Sequence, residues 1–157
     1  MTETTVSVDT LSDLASRYAA DPPGRVRFTP RSRWSRRVHT AADHEVWLLG
    51  WLPGQGTELH DHGGTHRPAP AAFAVVTGEL SEYTVVPGEY PSLATRRFGP
   101  GTVGRADSRT IHAIRNAGDR AAVSVHVYAP RLAMMRRYLL DETGLWLASL
   151  HRAGTDW

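Results

Sequence analysis

From Pro22 onward, proline and glycine interrupt this chain so often that no long helix can form. The breaks fall at Pro22-Pro23-Gly24, Pro53-Gly54, Gly56, Gly63-Gly64, Pro68, Pro70, Gly78, Pro87-Gly88, Gly99-Pro100-Gly101, Gly118, Pro130 and Gly144. A helix interior tolerates neither residue well, whereas strand ends and turns accept both. The segments between the breaks are short and rich in Val, Trp, Tyr and Thr, the pattern of an all-β sandwich or barrel. Strands are expected at Trp34–Thr40, Glu45–Leu52, Thr57–Asp61, Ala72–Val76, Leu80–Val86, Thr95–Phe98, Thr102–Arg105, Ile111–Arg115 and Ala122–Tyr128. Met134–Leu140 and Leu145–Leu150, separated by Asp141–Gly144, read as a closing hairpin.

Only the segment before these breaks reads as helical, over about residues 10–20. Leu11, Leu14, Ala15 and Tyr18 fall on one face, Thr10 with Asp13 resembles a capping box, and Asp21-Pro22-Pro23-Gly24 is a stop. The 157 residues fit one domain, 1–157, with the barrel over about 30–152, and suffice to bury a core. Cysteine is absent, which excludes disulfides, thiolate metal sites and a cysteine nucleophile. No apolar run is long enough for a membrane span, and the first residues lack the basic-then-apolar order of a signal peptide, so a cytoplasmic protein with no membrane partner is expected.

All eighteen basic residues are arginine, against sixteen acids. Their one concentration, Arg25, Arg27, Arg31, Arg33, Arg36 and Arg37 around Trp34, has the makings of a nucleic-acid surface. The use of arginine alone reads mainly as codon bias toward guanine and cytosine, so most of these arginines are expected to be solvated, with one turned inward, and no nucleic-acid partner is expected.

The chemistry concentrates in Trp51–His66, WLPGQGTELHDHGGTH. His60 and His62 lie two residues apart in an extended segment, so both point the same way, as two ligands of one metal must. A third candidate, His112, sits in the alternating run TIHAIRN, which the turn signal Asn116-Ala117-Gly118 ends. Three neutral imidazoles suit a first-row metal and leave coordination positions open to substrate. A single strand histidine is more often a packed or surface residue, and the spacing of two does not settle the matter. Glu58 shares the face of His60 and His62 but is a weaker candidate than His112; Asp61 belongs to the opposite face, and His66 reads as a loop residue.

In AVSVHVYAP, Ser124, His126 and Tyr128 occupy one face and Val123, Val125 and Val127 the other. Alternation alone leaves open which set faces inward. If the polar set does, its groups must hydrogen-bond one another, and a Ser–His–Tyr relay would satisfy them.

The spacings from Gly54 to His60 and His62, and from His112 to Asn116, match the two short motifs of the cupin superfamily, with His66 where the usual glutamate ligand would stand. More closely, the run WLPGQGTELHDHGG, then VVTGEL, IHAIRN and SVHVYAP, resembles the bacterial-type cysteine dioxygenases, thiol dioxygenases of that superfamily, over roughly Trp34–Pro130. The resemblance implies a cupin-type, jelly-roll-like β-barrel with His60, His62 and His112 holding non-haem Fe(II). It also implies a relay of Ser124, His126 and Tyr128, and a cis peptide bond before Pro130. WSRRV resembles the family's aromatic-any-Arg pattern, which assigns Arg36 to the substrate carboxylate. Three neutral ligands leave the metal its full charge, which favours a thiolate, while a guanidinium matches a carboxylate bidentately. The implied reaction adds both atoms of O2 to the sulfur of L-cysteine, giving cysteine sulfinic acid. The partners are then a small thiol and O2; a monomer is expected, and a dimer is permitted. Where the family is usually shorter, this chain has GGTHRPAPA, which leaves the thiol's identity open. Relatives acting on 3-mercaptopropionate typically carry Gln in place of the Arg, so Arg36 favours cysteine. A noncatalytic metal- or small-molecule-binding cupin, or an isomerase on the same barrel, is the other alternative.

Overall fold

In the computed structural model, which describes residues 6–63 and 68–154, α1 spans Val8–Ala20 and begins earlier than the Thr10–Asp13 pattern predicts. Ser7 is the N-cap: its hydroxyl accepts the Thr10 N–H at 3.2 Å and bonds the Thr10 hydroxyl at 2.8 Å, which places Thr10 inside the first turn. The helix stops at Asp21, whose N–H donates to Arg17 before the two prolines.

Eleven strands follow: β1 (Trp34–Thr40), β2 (Glu45–Trp51), β3 (Leu59–Asp61), β4 (Ala71–Thr77), β5 (Leu80–Val86), β6 (Ser92–Phe98), β7 (Val103–Ala106), β8 (His112–Arg115), β9 (Ala122–Tyr128), β10 (Met134–Asp141) and β11 (Gly144–Arg152). They form two antiparallel sheets, β1-β2-β9-β4-β7 and β11-β10-β3-β8-β5-β6, which pack face to face as the expected barrel. No helix among the described residues is long and apolar enough to cross a membrane.

The five-stranded sheet is covered on both faces, which is why β2 and β9 are buried at every position. Outside, α1 sets Leu11 and Ala15 against Val46, Leu48, Ala72, Ala74, Val123, Val125 and Val127. Inside, Trp47, Leu49, Trp51, Phe73 and Val75 meet Leu80, Phe98, Ile114 and Met135 of the other sheet. Directly paired residues share a face. Ser124, His126 and Tyr128 pair with Leu49, Trp47 and Glu45, so the polar face of β9 looks into the barrel and the valines lie under α1.

Several strand boundaries differ from expectation, and at two of them the pairing gives the reason. β3 is only three residues long because the preceding segment is tied differently: Gly56 forms an isolated bridge with Arg115, and the Thr57 hydroxyl accepts the Ile114 N–H at 2.9 Å. β6 begins at Ser92, since the β5–β6 hairpin holds register out to Val86↔Ser92. At Gly50 of β2 the segment before β1 crosses so closely that a Cβ would lie 2.5 Å from the Arg27 carbonyl oxygen. Any larger residue there would push that segment off the sheet.

Candidate metal centre

β3 and β8 bring the three histidines together. His60 stands directly opposite His112 in the ladder, and His62 lies two residues along on the same face. Their ring centroids are 4.9 to 5.4 Å apart. One ring nitrogen from each falls within a set whose members all lie within 4.8 Å of one another. All three side chains are buried, and burial, the largest cause, holds His60 down to about 3 and His62 well below the ordinary imidazole range. Neutral imidazoles with lone pairs are what a cation requires.

The hydrogen-bond pattern supports the fit. Among the described residues, Nε2 of His112 and both ring nitrogens of His62 are buried without a partner, which costs free energy unless something else satisfies them. A metal ion held among the three rings would do so. The residue types also agree: nitrogen donors from three histidines suit a first-row transition metal.

The cavity beside the histidines holds about 210 Å3 and is lined by Arg33, Trp51, His126, Tyr128, Met135 and Arg137 among others. That suits a ligand of amino-acid size. Trp51 Nε1–H donates to the Ser124 hydroxyl at 2.9 Å, and that hydroxyl meets His126 Nε2 at 3.0 Å. His126 is held neutral, at about 3, chiefly by burial and then by the charge of Arg33. The Tyr128 ring lies 6.5 Å from His126, nearly parallel to it, and 5.2 Å edge-on from His62. Burial pushes its phenol well above the ordinary range, so it remains a proton donor.

Arg36 does not reach this cavity. It is exposed and pairs with Leu48, so it shares the outer face of β1 with Trp34 and Val38. Arg33, just before β1, is the arginine turned inward: its guanidinium lies 5.5 Å from the Trp51 ring centroid and lines the cavity, and burial lowers its pKa. The other arginines of that cluster, 25, 27, 31 and 37, are exposed. A signal for this was present, since Trp34, Arg36 and Val38 have one parity and the apolar pair marks a packed face.

Asp61 points away from His60 and His62, as the alternation implied. Its carboxylate accepts from Arg136 Nε and Nη2 at 2.9 and 2.7 Å and from the Tyr138 hydroxyl at 2.8 Å. Glu58 forms an ion pair with Arg137 at 3.1 Å near the cavity and is not grouped with the histidines. Asn116 is a turn staple, donating to the carbonyls of Trp51 and Arg120. The Ala129–Pro130 bond is cis. His66 lies outside the described residues. Sequence reasoning missed Arg33, Trp51 and the carboxylate of Glu82, which meets His112 Nδ1 at 2.7 Å.

Comparison with known proteins agrees with this geometry. A family model described as cysteine dioxygenase type I matches residues 1–141. The chain belongs to that family. Among solved structures, one from Klebsiella pneumoniae subsp. pneumoniae MGH 78578, an uncharacterized protein with a double-stranded β-helix domain, is 19% identical, covers 93% of this chain and 92% of its own, and superposes with a TM-score of 0.56. A Thermus thermophilus protein is 25% identical over 68% of this chain and 90% of its own, with a TM-score of 0.55. KdgF from Halomonas sp. is 15% identical over 71% of this chain and 90% of its own, with a TM-score of 0.56. This cysteine dioxygenase-family chain therefore carries the cupin fold with a three-histidine cluster that fits a metal ion.

Proposed function

We propose that the protein is a non-haem iron(II) thiol dioxygenase acting on L-cysteine, with Arg33 rather than Arg36 receiving the substrate carboxylate. The observation that carries this reading is the convergence of three buried imidazoles on a cavity that also holds the Arg33 guanidinium and one protonated phenol. His60, His62 and His112 would hold the iron(II) ion, which would supply the redox chemistry that joins a thiolate to O2. The reaction needs no outside reductant: a thiol plus O2 gives a sulfinic acid, the sulfur surrendering the four electrons that reduce dioxygen.

The chain's own groups orient the substrate. Arg33 offers a bidentate fork to the carboxylate, and its place against Trp51 keeps the guanidinium from swinging out to solvent. Tyr128 donates a hydrogen bond toward the carboxylate or the dioxygen, and the Trp51–Ser124–His126 chain fixes the wall next to it. The apolar lining from Phe73, Ile114 and Met135 excludes water from the remainder.

The test is oxygen consumption by iron-loaded protein given cysteine, 3-mercaptopropionate or cysteamine, with product identified by mass. Cysteine should be consumed one-to-one with O2 to give the sulfinic acid. Arg33→Gln should raise KM for cysteine while leaving cysteamine, which has no carboxylate, nearly unaffected, and Arg36→Gln should behave as the parent does. No uptake with any of the three thiols would refute the dioxygenase reading, and preference for 3-mercaptopropionate would refute cysteine as substrate.

A further inference from the structure

The three ligands are not supported alike. His60 Nδ1 is 2.9 Å from a backbone carbonyl, that of Glu58. Among the described residues, His62 has no hydrogen-bond partner at either nitrogen. His112 Nδ1 meets the Glu82 carboxylate at 2.7 Å, with both side chains almost wholly buried. β5 is registered so that Glu82 opposes Ile114 and Thr84 opposes His112, which sets the carboxylate diagonally beside the imidazole on the interior face.

That position is an unfavourable one for an acid. Leu80 and Ile114, its neighbours on the same face, belong to the apolar core, and Arg96, opposite on β6, lays its guanidinium over the Phe98 ring. A carboxylate left among such groups without a strong partner is strongly destabilising. An acid here makes sense only through what it does to His112.

We propose that Glu82 is a positioning residue of the metal centre, accepting the Nδ1 proton of His112 so that Nε2 faces the ion, and placing against one ligand the negative charge that the three-histidine set itself lacks. The inference rests on reading the cluster as a metal site. The carboxylate that other cupins spend as a direct ligand is here one residue removed from the ion. It makes His112 the most strongly donating and best oriented of the three ligands, with His62 the least restrained. It also offsets part of the cation's charge, favouring the oxidised over the reduced ion relative to a centre without it.

The test uses full-length protein: anaerobic Fe(II) affinity by chelator competition and the Fe(III)/Fe(II) midpoint potential, in the parent, E82Q, E82D and E82A. E82Q keeps shape and an accepting oxygen but removes the charge. It should raise the potential and weaken Fe(II) binding by about ten- to a hundredfold; E82A should lose at least as much affinity, and E82D should hold the potential near the parent's. Melting of the metal-free proteins identifies which variants fold. In whichever of E82Q and E82A folds, affinity within about twofold of the parent and an unmoved potential overturn the proposal. A parent that binds no Fe(II) overturns it together with the proposed function. A parent that binds iron and oxidises cysteine, beside indifferent Glu82 variants, overturns this inference alone.

Discussion

Replacing Asp61 tests whether β3 is held in place by the strand behind it. β3 has three residues and meets β8 at the single pair His60↔His112. Its other edge pairs with β10, where Arg136 opposes Asp61 and Tyr138 opposes Leu59. The Asp61 carboxylate is 1% exposed and also accepts the Gly63 N–H at 3.0 Å, so four donors from three residues converge on it. The hydrogen bond to Asp61 is the main cause holding Arg136 above its ordinary pKa. Removing one partner of a buried ion pair is destabilising by about 3–5 kcal/mol. Arg136 is about one-third exposed and can rehydrate when freed, so the lower end applies. We therefore expect Asp61→Ala to destabilise by about 3 kcal/mol, which for a chain of this length lowers Tm by about 6–12 °C. Because His60 and His62 flank Asp61, iron affinity should fall in the same variant. The assay is thermal unfolding of the metal-free protein, followed by a double-mutant cycle of Asp61→Ala with Arg136→Ala, whose coupling should lie within the 0.5–3 kcal/mol typical of contacting groups. A Tm within about 2 °C of the parent, or additive single effects, would refute the claim that this carboxylate anchors the strand.

Three further outcomes follow from the same geometry. Alanine at His60, His62 or His112 should abolish iron retention, read by metal analysis, with the circular dichroism of a folded barrel preserved; full occupancy in any variant removes that residue from the ligand set. Tyr128→Phe should keep its iron and lower turnover by roughly a hundredfold, the scale for losing one oriented donor in a water-excluded site, and undiminished turnover would acquit the phenol. His126 is held at about 3 against an unfolded value near 6.5. Below about pH 6.5 the unfolded chain therefore takes up a proton that the native chain refuses, and stability falls with pH, by about 1.4 kcal/mol per unit from this residue, until the folded pKa is reached. In urea unfolding of metal-free protein, His126→Gln should flatten the decline between about pH 6.5 and 5 by up to that amount, and an unchanged slope would show that His126 is not buried neutral.

Much of the fold was legible in the sequence. Proline and glycine mark the ends of short segments wherever they fall, so the number and order of the strands did not depend on knowing how they pack. Boundaries moved where pairing intervened, as at β3, which Thr57 shortens through its side-chain bond to Ile114, and at β6, which the hairpin with β5 lengthens. His60 and His62 could be set on one face from their spacing, and His112 joined them through the family resemblance. Glu82 left no such trace, because one acid in an alternating strand looks like any solvent-facing residue until its neighbours are known.

What the sequence determined by itself is parity: which side chains of a strand travel together, since successive residues of an extended chain must point to opposite sides. That grouped Ser124 with His126 and Tyr128, and equally grouped Arg36 with Trp34 and Val38. Which group faces the cavity was decided only in three dimensions, by what covers the other side. Leu11 and Ala15 of α1 cover the valines of β9 and so turn the serine, histidine and tyrosine inward. The same apolar layer takes Trp34 and Val38 and leaves Arg36 in solvent, while Arg33, just before β1, is not bound by that alternation and reaches the cavity.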